Sequence, residues 1–252
     1  MAKISHFECR SWDEFKSTVV NQLFRGLPFQ KSRFLFRGQL DPDWRLSSSF
    51  DRWFDDQHTD ESKRIEVASQ LLETFKHEMA NAGHDHFAGL PEQHVMALAQ
   101  HYGLPTRLLD WSESPYVAAF FAFVDVIISR RQPEYVAVWA LDTKCYCWQK
   151  GRGSEIISIA APGSNARLRN QEGKFTLLSS PCKCLEEFLV PFDRLEEREP
   201  PLQRFLIPTR DTQASLAELD AMGINSARAF SDLQGFAMAA RVQQQLRLQT
   251  QR

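Results

Sequence analysis

The sequence predicts an α+β fold, a single domain with a small mixed or antiparallel sheet and a central cluster of helices. Three observations lead to this prediction. The 252 residues are 43% hydrophobic, which is enough to fill one substantial core. Short runs of aromatic and β-branched residues, typical of strands, recur along the chain. Longer runs with a 3.6-residue period, typical of helices, concentrate in its middle third.

The main domain is predicted to span residues 34–240. Residues 1–33 are expected to hold a strand and a helix that pack on this domain. Residues 241–252 have the sequence "RVQQQLRLQTQR", which is rich in Gln and Arg. They are predicted to fray, as chain ends without apolar contacts commonly do.

The first helix is predicted to follow Ser11, a typical N-cap residue. Its apolar side chains recur at helical spacing, at Phe15, Val19 and Leu23. The run "RFLFRG" is too short for a helix and precedes turn residues, so it predicts a strand that ends at Gly38.

Three helices are predicted in the middle of the chain. The first covers about 61–82 and is ended by Gly83, and the second begins at Pro91 and is ended by Gly103. The third, 115–128, is apolar on nearly every side, so we expect it to be packed on most of its faces.

The second half of the chain alternates strand and helix patterns. "YVAVWAL" at 135–141 is a continuous apolar run and predicts a central strand. "GSEIISI", "GKFTLLS" and "LQRFLIP" predict further strands. Helices are expected at 212–221 and from 232 to the end.

Composition argues against several classes of partner. The net charge is -2, so nucleic acid is not the favoured partner. The longest apolar stretch, 116–128, is shorter than the ~20 residues of a membrane helix and contains Asp125, so we expect no membrane association. The N-terminus lacks a secretory signal and the five cysteines are an odd number, which together indicate a cytoplasmic protein.

Two Cys-x-Cys pairs raise the question of a metal site. Cys145 with Cys147 and Cys182 with Cys184 supply the four thiols of a closed zinc site, although Cys-x2-Cys is the commoner zinc spacing. Buried or half-exposed ordinary thiols are the favoured alternative, and zinc stays open. The histidines complete no known site, so no metal is expected.

Three segments are richer in polar and turn-forming residues than a plain core requires: "FRGQ", "QHYGLPTRLLDWSESP" and "RLRNQEGKFTL". In the first, Arg37 either pairs with Asp41 or Asp43 at the strand end or holds a phosphate or carboxylate bidentately. Gly38 is either a turn residue or a point where backbone approaches a ligand. In the third, Glu172 either points into a cleft or is a solvated loop residue.

The second segment has structural alternatives of its own. Arg107 and Asp110 lie three residues apart among leucines, which favours a structural ion pair. His101 at a helix end is favoured as a partner of the helix dipole. Common signatures such as a Walker loop, Gly-x-Gly-x-x-Gly, Gly-x-Ser-x-Gly and His-Glu-x-x-His are absent from the sequence.

These segments resemble a known family. "FLFRGQ", "LAQHYGLPTRLLDWSESPYVAAFFAF", "NARLRNQEGKFTL" and "GINSARAFSDLQGFA" are similar to successive blocks of the FRG domain, a bacterial domain named after its Phe-Arg-Gly motif. The resemblance runs from about Phe34 to Ala237, and "HYGLPTRLLDW" is its most specific part. It implies no established substrate.

A fainter resemblance, in the order of these motifs, is to the ADP-ribosyltransferase fold. It implies NAD as a substrate, with Arg37 holding the pyrophosphate and Glu172 stabilising the oxocarbenium-like ribose as the two catalytic residues. It also implies that substrate is bound by Gly38, Gln39, His101, Tyr102, Thr106, Arg107, Asp110, Trp111 and Gln171. The sequence departs from that family in lacking its Ser-Thr-Ser block and its paired Glu-x-Glu.

The resulting expectation is an FRG-domain protein that acts as an NAD-dependent ADP-ribosyltransferase or NAD glycohydrolase, such as a bacterial toxin or phage-defence effector. The alternative is a non-catalytic module that binds a nucleotide or nucleic acid. A third interpretation is structural, in which the motifs build the core. The macromolecular target stays open under all three.

Overall fold

A computed structural model describes residues 4–26, 32–57, 60–84, 89–129, 131–149, 151–160, 172–179, 181–192, 200–229 and 233–250. It confirms the α+β class. In chain order the elements are β1 (Ile4–Glu8), α1 (Trp12–Val19), β2 (Phe34–Gln39), α2 (Ser49–Asp56), α3 (Arg64–Asn81), α4 (Glu92–His101), β3 (Leu108–Trp111), α5 (Pro115–Ser129), β4 (Tyr135–Asp142), β5 (Ser154–Ala160), β6 (Glu172–Leu178), α6 (Leu185–Leu189), β7 (Leu202–Pro208), α7 (Thr212–Ala221), α8 (Ser226–Ala229) and α9 (Leu233–Thr250).

The chain divides into two compact units, each with its own sheet. The four-stranded unit consists of Lys3–Trp44, Ser112–Lys144 and Glu197–Arg252, and the three-stranded unit includes Arg45–Trp111 and Cys145–Glu196. The sequence predicted one mixed sheet, which corresponds to that of the four-stranded unit. It did not predict the second sheet. The domain boundaries proposed from the sequence stay predictions.

The sheet of the four-stranded unit has the order β1-β7-β4-β2. β1 pairs in parallel with β7, while β4 is antiparallel to both β7 and β2. β4 is therefore an interior strand, as its continuous apolar sequence predicts. The predicted N-terminal strand is β1, and its pairing with β7 makes it part of this sheet.

One face of this sheet forms the core of the unit together with its helices. α5 contacts β2, β4, α7 and α9, and it begins at Pro115, as predicted. The largest fully buried side chains of this core are aromatic: Phe15, Phe36, Phe123 and Phe205. Aromatic residues bury the most area per side chain, so this cluster supplies much of the hydrophobic stabilisation of the unit.

The sheet of the three-stranded unit has the order β3-β6-β5 and is antiparallel throughout. α3 and α4 contact each other, and α4 also contacts β3 and β5. Their common core contains Leu72, Val95, Met96, Ala99, Leu108, Ile157, Ile159 and Leu177. One face of the sheet is thus packed against helices.

Several helical features differ from the sequence expectation, which did not include α2, α6 or α8. α2 was not predicted, because its eight residues are mostly polar; Ser48 caps it, and Phe50 and Phe54, one helical turn apart, are buried. α9 is helical as far as Thr250, beyond the point at 241 where fraying is predicted. Among the described helices, none has the length and hydropathy needed to cross a bilayer.

Candidate functional site

Gly38 is the point at which β2 lies closest to α5. A Cβ atom at this position would lie 1.9 Å from the carbonyl oxygen of Ala118 and 3.0 Å from the backbone nitrogen of Ala122. Only glycine leaves room for such an approach. The close approach expected from the sequence therefore exists, and the group that makes it is a helix backbone. A contact of Gly38 with substrate stays a prediction.

Arg37 belongs to a row of large polar side chains across the four-stranded unit. It pairs with Trp139 in β4, which pairs in turn with Arg204 in β7. The Arg204 guanidinium lies 5.5 Å from the centroid of the Trp139 ring, a cation–π distance, and donates to the carbonyl oxygen of Pro42 at 2.7 Å. Two arginines therefore lie in register on either side of one buried tryptophan.

Gln39 is held by the same tryptophan. Its side-chain oxygen accepts a hydrogen bond from Nε1 of Trp139 at 2.7 Å, and both side chains are buried. A buried indole N–H needs such an acceptor, so Gln39 has a structural reason to be present. Its predicted contact with substrate stays untested.

Asp125 in α5 responds to the charge of Arg37. Burial raises the pKa of the Asp125 carboxyl, and the nearby Arg37 guanidinium opposes the rise. The sequence indicated an arginine that could attract an anion. The structure places that positive charge where it acts on a carboxylate of the same unit.

The "HYGLP" turn is a Schellman motif at the end of α4. The N–H of Leu104 donates to the carbonyl oxygen of Ala99 at 2.9 Å, and the N–H of Gly103 donates to that of Gln100 at 2.9 Å. Gly103 has φ of +90°, a conformation that other residues adopt only with strain. The predicted role of Gly103 as the residue that ends this helix is confirmed.

His101 and Tyr102 stand at the surface of this turn. Their rings meet edge to face with centroids 5.2 Å apart, and Tyr102 is 74% exposed. A tyrosine this exposed is not needed for the core. It is available to stack on a planar ligand.

Thr106 and Asp110 are joined through Gln100. Nε2 of Gln100 donates to Oδ1 of Asp110 at 2.5 Å, and its oxygen accepts from the Thr106 hydroxyl. The backbone of Thr106 is fixed as well, since its carbonyl oxygen accepts from the N–H of Phe50 at 3.0 Å and its N–H donates to Oγ of Ser49 at 3.1 Å. These predicted site residues therefore form one rigid network between α4, β3 and α2.

Arg107 does not form the expected ion pair with Asp110. Its guanidinium donates to the carbonyl oxygen of Leu178. Burial lowers the pKa of Arg107, the carboxylate of Asp51 opposes this, and the charge of Arg64 adds to the lowering. The ion-pair prediction is wrong because Asp110 lies in β3 and Arg107 immediately precedes that strand. In extended chain, a spacing of three residues puts side chains on opposite faces.

Trp111 lies on the other face of the three-stranded sheet, among buried polar groups. Its Nε1 donates to Oγ1 of Thr176 at 3.0 Å, and Nζ of Lys174 donates to Oγ of Ser158 at 2.9 Å. Lys174 is 7% exposed, and Thr176 and Ser154 are 2% exposed. Within the described residues, Oγ of Ser154 has no hydrogen-bond partner. Ser154 pairs with Leu178, so strand alternation puts these polar groups on one face.

Glu172, the predicted catalytic carboxylate, is the first residue of β6 and pairs with Ala160 of β5. It therefore opens the strand that carries Lys174 and Thr176. Gln171, predicted to bind substrate, lies outside the described residues.

The buried ion pair between Asp51 and Arg64 was not predicted from the sequence. Their side chains are 5% and 4% exposed, and Arg64 also donates to the carbonyl oxygens of Pro181 at 2.6 Å and Cys182 at 3.1 Å. Since Asp51 and Arg64 are thirteen residues apart, on two different helices, no local spacing could have revealed their contact. The pair ties α2, α3 and the 181–182 segment together.

No group of three or more metal-ligating side chains is found among the residues that the structure describes. None of the five cysteines forms a disulfide.

The fold and these contacts define a mixed α+β protein whose strand β2 requires glycine where it meets a helix. Residues 32–129 match the model of the FRG domain. The match runs from just before β2 to the end of α5 and includes Arg37 and Asp110, whereas Glu172 lies outside it. Comparisons with curated proteins and with solved structures gave no significant match.

Proposed function

We propose that this chain binds NAD and cleaves its nicotinamide–ribose bond, releasing ADP-ribose or transferring it to a target. One observation carries the proposal: one face of the three-stranded sheet buries the polar side chains of Ser154, Lys174 and Thr176 beside apolar ones, and the strand at its centre begins with Glu172. A sheet face that served packing alone would be apolar. A few polar groups set among apolar side chains are instead typical of a binding site.

The roles follow from the chemistry of the bond. Positive charge develops on the ribose ring as nicotinamide leaves, and a carboxylate at Glu172 would stabilise it. The ammonium group of Lys174, two residues further along the same strand, would attract phosphate oxygens. This assignment is supported by residue chemistry and by position along β6.

Nicotinamide release from NAD tests the proposal, measured by chromatography on the purified chain. Glu172→Gln should lower the rate by about 100-fold or more, because it removes the charge that stabilises the transition state. Glu155→Gln is the matched control: Glu155 belongs to β5 of the same sheet and interacts with Gln93 at 3.4 Å. Equal rates in both variants, or no release above buffer from the wild type, would contradict the proposal.

A second candidate function is a non-catalytic module that binds a nucleotide or single-stranded nucleic acid. It is favoured by one observation, the exposed edge-to-face pair of His101 and Tyr102 at a rigid turn. Stacking of a base on an aromatic side chain contributes about 1 to 3 kcal/mol. Tyr102→Ala should therefore weaken binding in calorimetry with mononucleotides and short oligonucleotides by roughly 5-fold or more.

Tyr146→Ala is the control for this second candidate, since Tyr146 is also exposed, at 39%, but lies in a different turn. Binding without turnover that needs Tyr102 and not Tyr146 would favour the module over the enzyme. Unchanged binding in Tyr102→Ala would exclude this role for the pair.

A further inference from the structure

Cys145 and Cys147 lie on either side of Tyr146 at a short 3-10 turn, Tyr146–Trp148, which precedes β5. Cys145 caps this turn, and its sulfur accepts from the N–H of Cys147 at 3.4 Å. The two sulfur atoms are 2.7 Å apart. The sequence suggested two thiols on one strand face, whereas the structure bends the chain between them and brings the sulfurs into contact.

The two thiols differ in their access to solvent. Cys147 is 0% exposed, while Cys145 is only half-buried. Solvent therefore reaches Cys145 and does not reach Cys147. Cys147 can react only through its neighbour.

The second Cys-x-Cys pair has the same spacing and a different environment. Cys184 caps α6, and its sulfur accepts from the N–H of Glu187 at 3.4 Å. Burial, with the carboxylate of Glu186 adding to it, raises the pKa of Cys184 to about 12. Because the thiolate is the reactive form, Cys184 is a poor nucleophile. This pair serves as an internal comparison for the first.

We propose that Cys145 and Cys147 form a redox modification site, which closes to an intramolecular disulfide by exchange with a low-molecular-weight disulfide such as glutathione disulfide. The thiolate of Cys145 attacks one sulfur of the reagent, forms a mixed disulfide and expels the first glutathione thiolate. The thiolate of Cys147 then attacks the sulfur of Cys145 and expels the second. Two protein thiols lose two protons and two electrons, and one glutathione disulfide becomes two glutathione thiols.

Proximity decides the second step. Groups held in contact react as though at a very high local concentration, with effective molarities of about 10⁵ M or more in well-oriented cases. Cys147 is already in contact with the sulfur that it must attack. The mixed disulfide on Cys145 should therefore be short-lived.

Ring closure would fix the conformation of the turn. Trp148, at the end of that turn, stacks on Phe188 with ring centroids 5.8 Å apart, and β5 begins a few residues later. Oxidation of the two thiols would thus change the environment of the Trp148 ring. The proposal is independent of the chemistry proposed for NAD.

Peptide mass spectrometry after exposure of the folded chain to glutathione disulfide tests the proposal. Trypsin releases residues 145–150 as one peptide that contains both thiols, and it separates Cys182 from Cys184 because it cuts after Lys183. We expect the 145–150 peptide to lose two hydrogens without gaining glutathione. It should do so at a glutathione disulfide concentration roughly ten-fold or more below that at which Cys182 reacts.

Three variants distinguish the steps. Cys147→Ser should trap glutathione on Cys145, Cys145→Ser should leave Cys147 reduced, and Cys182→Ser, the control, should leave ring closure unchanged. Far-UV circular dichroism checks that each variant is folded. A wild-type peptide that stays reduced, or that keeps a stable glutathione adduct, overturns the proposal, as does a Cys147→Ser variant without an adduct on Cys145.

Discussion

The backbone of Gly38 in β2 and the carbonyl oxygen of Ala118 in α5 are so close that a methyl group at Gly38 would lie 1.9 Å from the oxygen. The glycine of the Phe-Arg-Gly motif is thus explained by the packing of a strand against a helix. The position belongs to the core of the four-stranded unit, where α5 and β2 contact each other.

Gly38→Ala should destabilise the protein strongly, because the added methyl meets backbone, which cannot rotate away. Overpacking of a core costs about 1 to 3 kcal/mol, and we expect this substitution to reach the upper end. The measurement is the free energy of unfolding from urea titration. Gly89→Ala is the control, since nothing lies within 4 Å of a Cβ atom there. Equal midpoints for both variants would show that α5 can shift.

Asp51→Ala should also unfold the protein readily, because it leaves the charge of Arg64 buried without its carboxylate. Breaking a buried pair in this way costs about 3 to 5 kcal/mol. An Asp51→Leu, Arg64→Met double variant should lose less, since it leaves no buried charge. Glu73→Ala, which removes an exposed ion pair with Lys76, should leave the urea midpoint unchanged. A double variant as unstable as the single one would contradict this reasoning.

Thr106→Val should cost about 1 to 2 kcal/mol, because its hydroxyl joins the side chain of Gln100 to the N–H of Leu108. Thermal unfolding is a convenient measurement. Thr74→Val replaces an exposed hydroxyl that bonds only within α3 and should have little effect. If the two variants have the same melting temperature, the network around Thr106 does not contribute to the stability of the protein.

Asp125→Asn should stabilise the protein slightly at neutral pH, because the Asp125 side chain keeps contact with solvent, which screens its charge. Burial raises the pKa of Asp125 in the folded state above its ordinary value of 3.8, so the folded state holds this proton more tightly than the unfolded state. The associated stability is present below pH 3.8 and is lost as pH rises through the folded pKa. The advantage of Asn should therefore be largest at neutral pH and vanish on acidification. Urea titrations across this range measure it, and a constant difference would disprove the link.

Arg37→Ala should raise the pKa of Asp125 further, because the guanidinium opposes the effect of burial. A carboxyl titration followed by NMR would show this directly. Arg33→Ala, at the residue just before the same strand, is the control, since Arg33 is paired with Asp142 at 3.2 Å. If the pKa of Asp125 is the same in Arg37→Ala as in the wild type, the Arg37 guanidinium does not lie near Asp125 in the dissolved protein.

Most elements could be predicted from the sequence where the local pattern determines the structure. Residues 135–141 are apolar at every position because β4 is an interior strand, and Ser114, Gly83 and Gly103 mark helix ends through local capping geometry. α2 escaped prediction because only two of its side chains supply the apolar face.

The candidate site was harder to predict, for two physical reasons. A glycine that permits a close approach does not reveal whether a ligand or a helix approaches, and Gly38 meets a helix. A spacing of three suggests contact only in a helix, and at Arg107 and Asp110 the chain enters a strand. The partners of Asp51 and Trp111 are distant in sequence, so only the fold could reveal them.

The pairing of β2 with β4 and of β3 with β6 has a practical consequence for the FRG domain. The matched residues, 32–129, contain β2 and β3 but neither of their sheet partners. A truncated chain of these residues would carry two strands with unsatisfied backbone groups and would be expected to aggregate. The segment recognisable by sequence is therefore smaller than the segment that can fold, and later residues must be included for the domain to be studied in isolation.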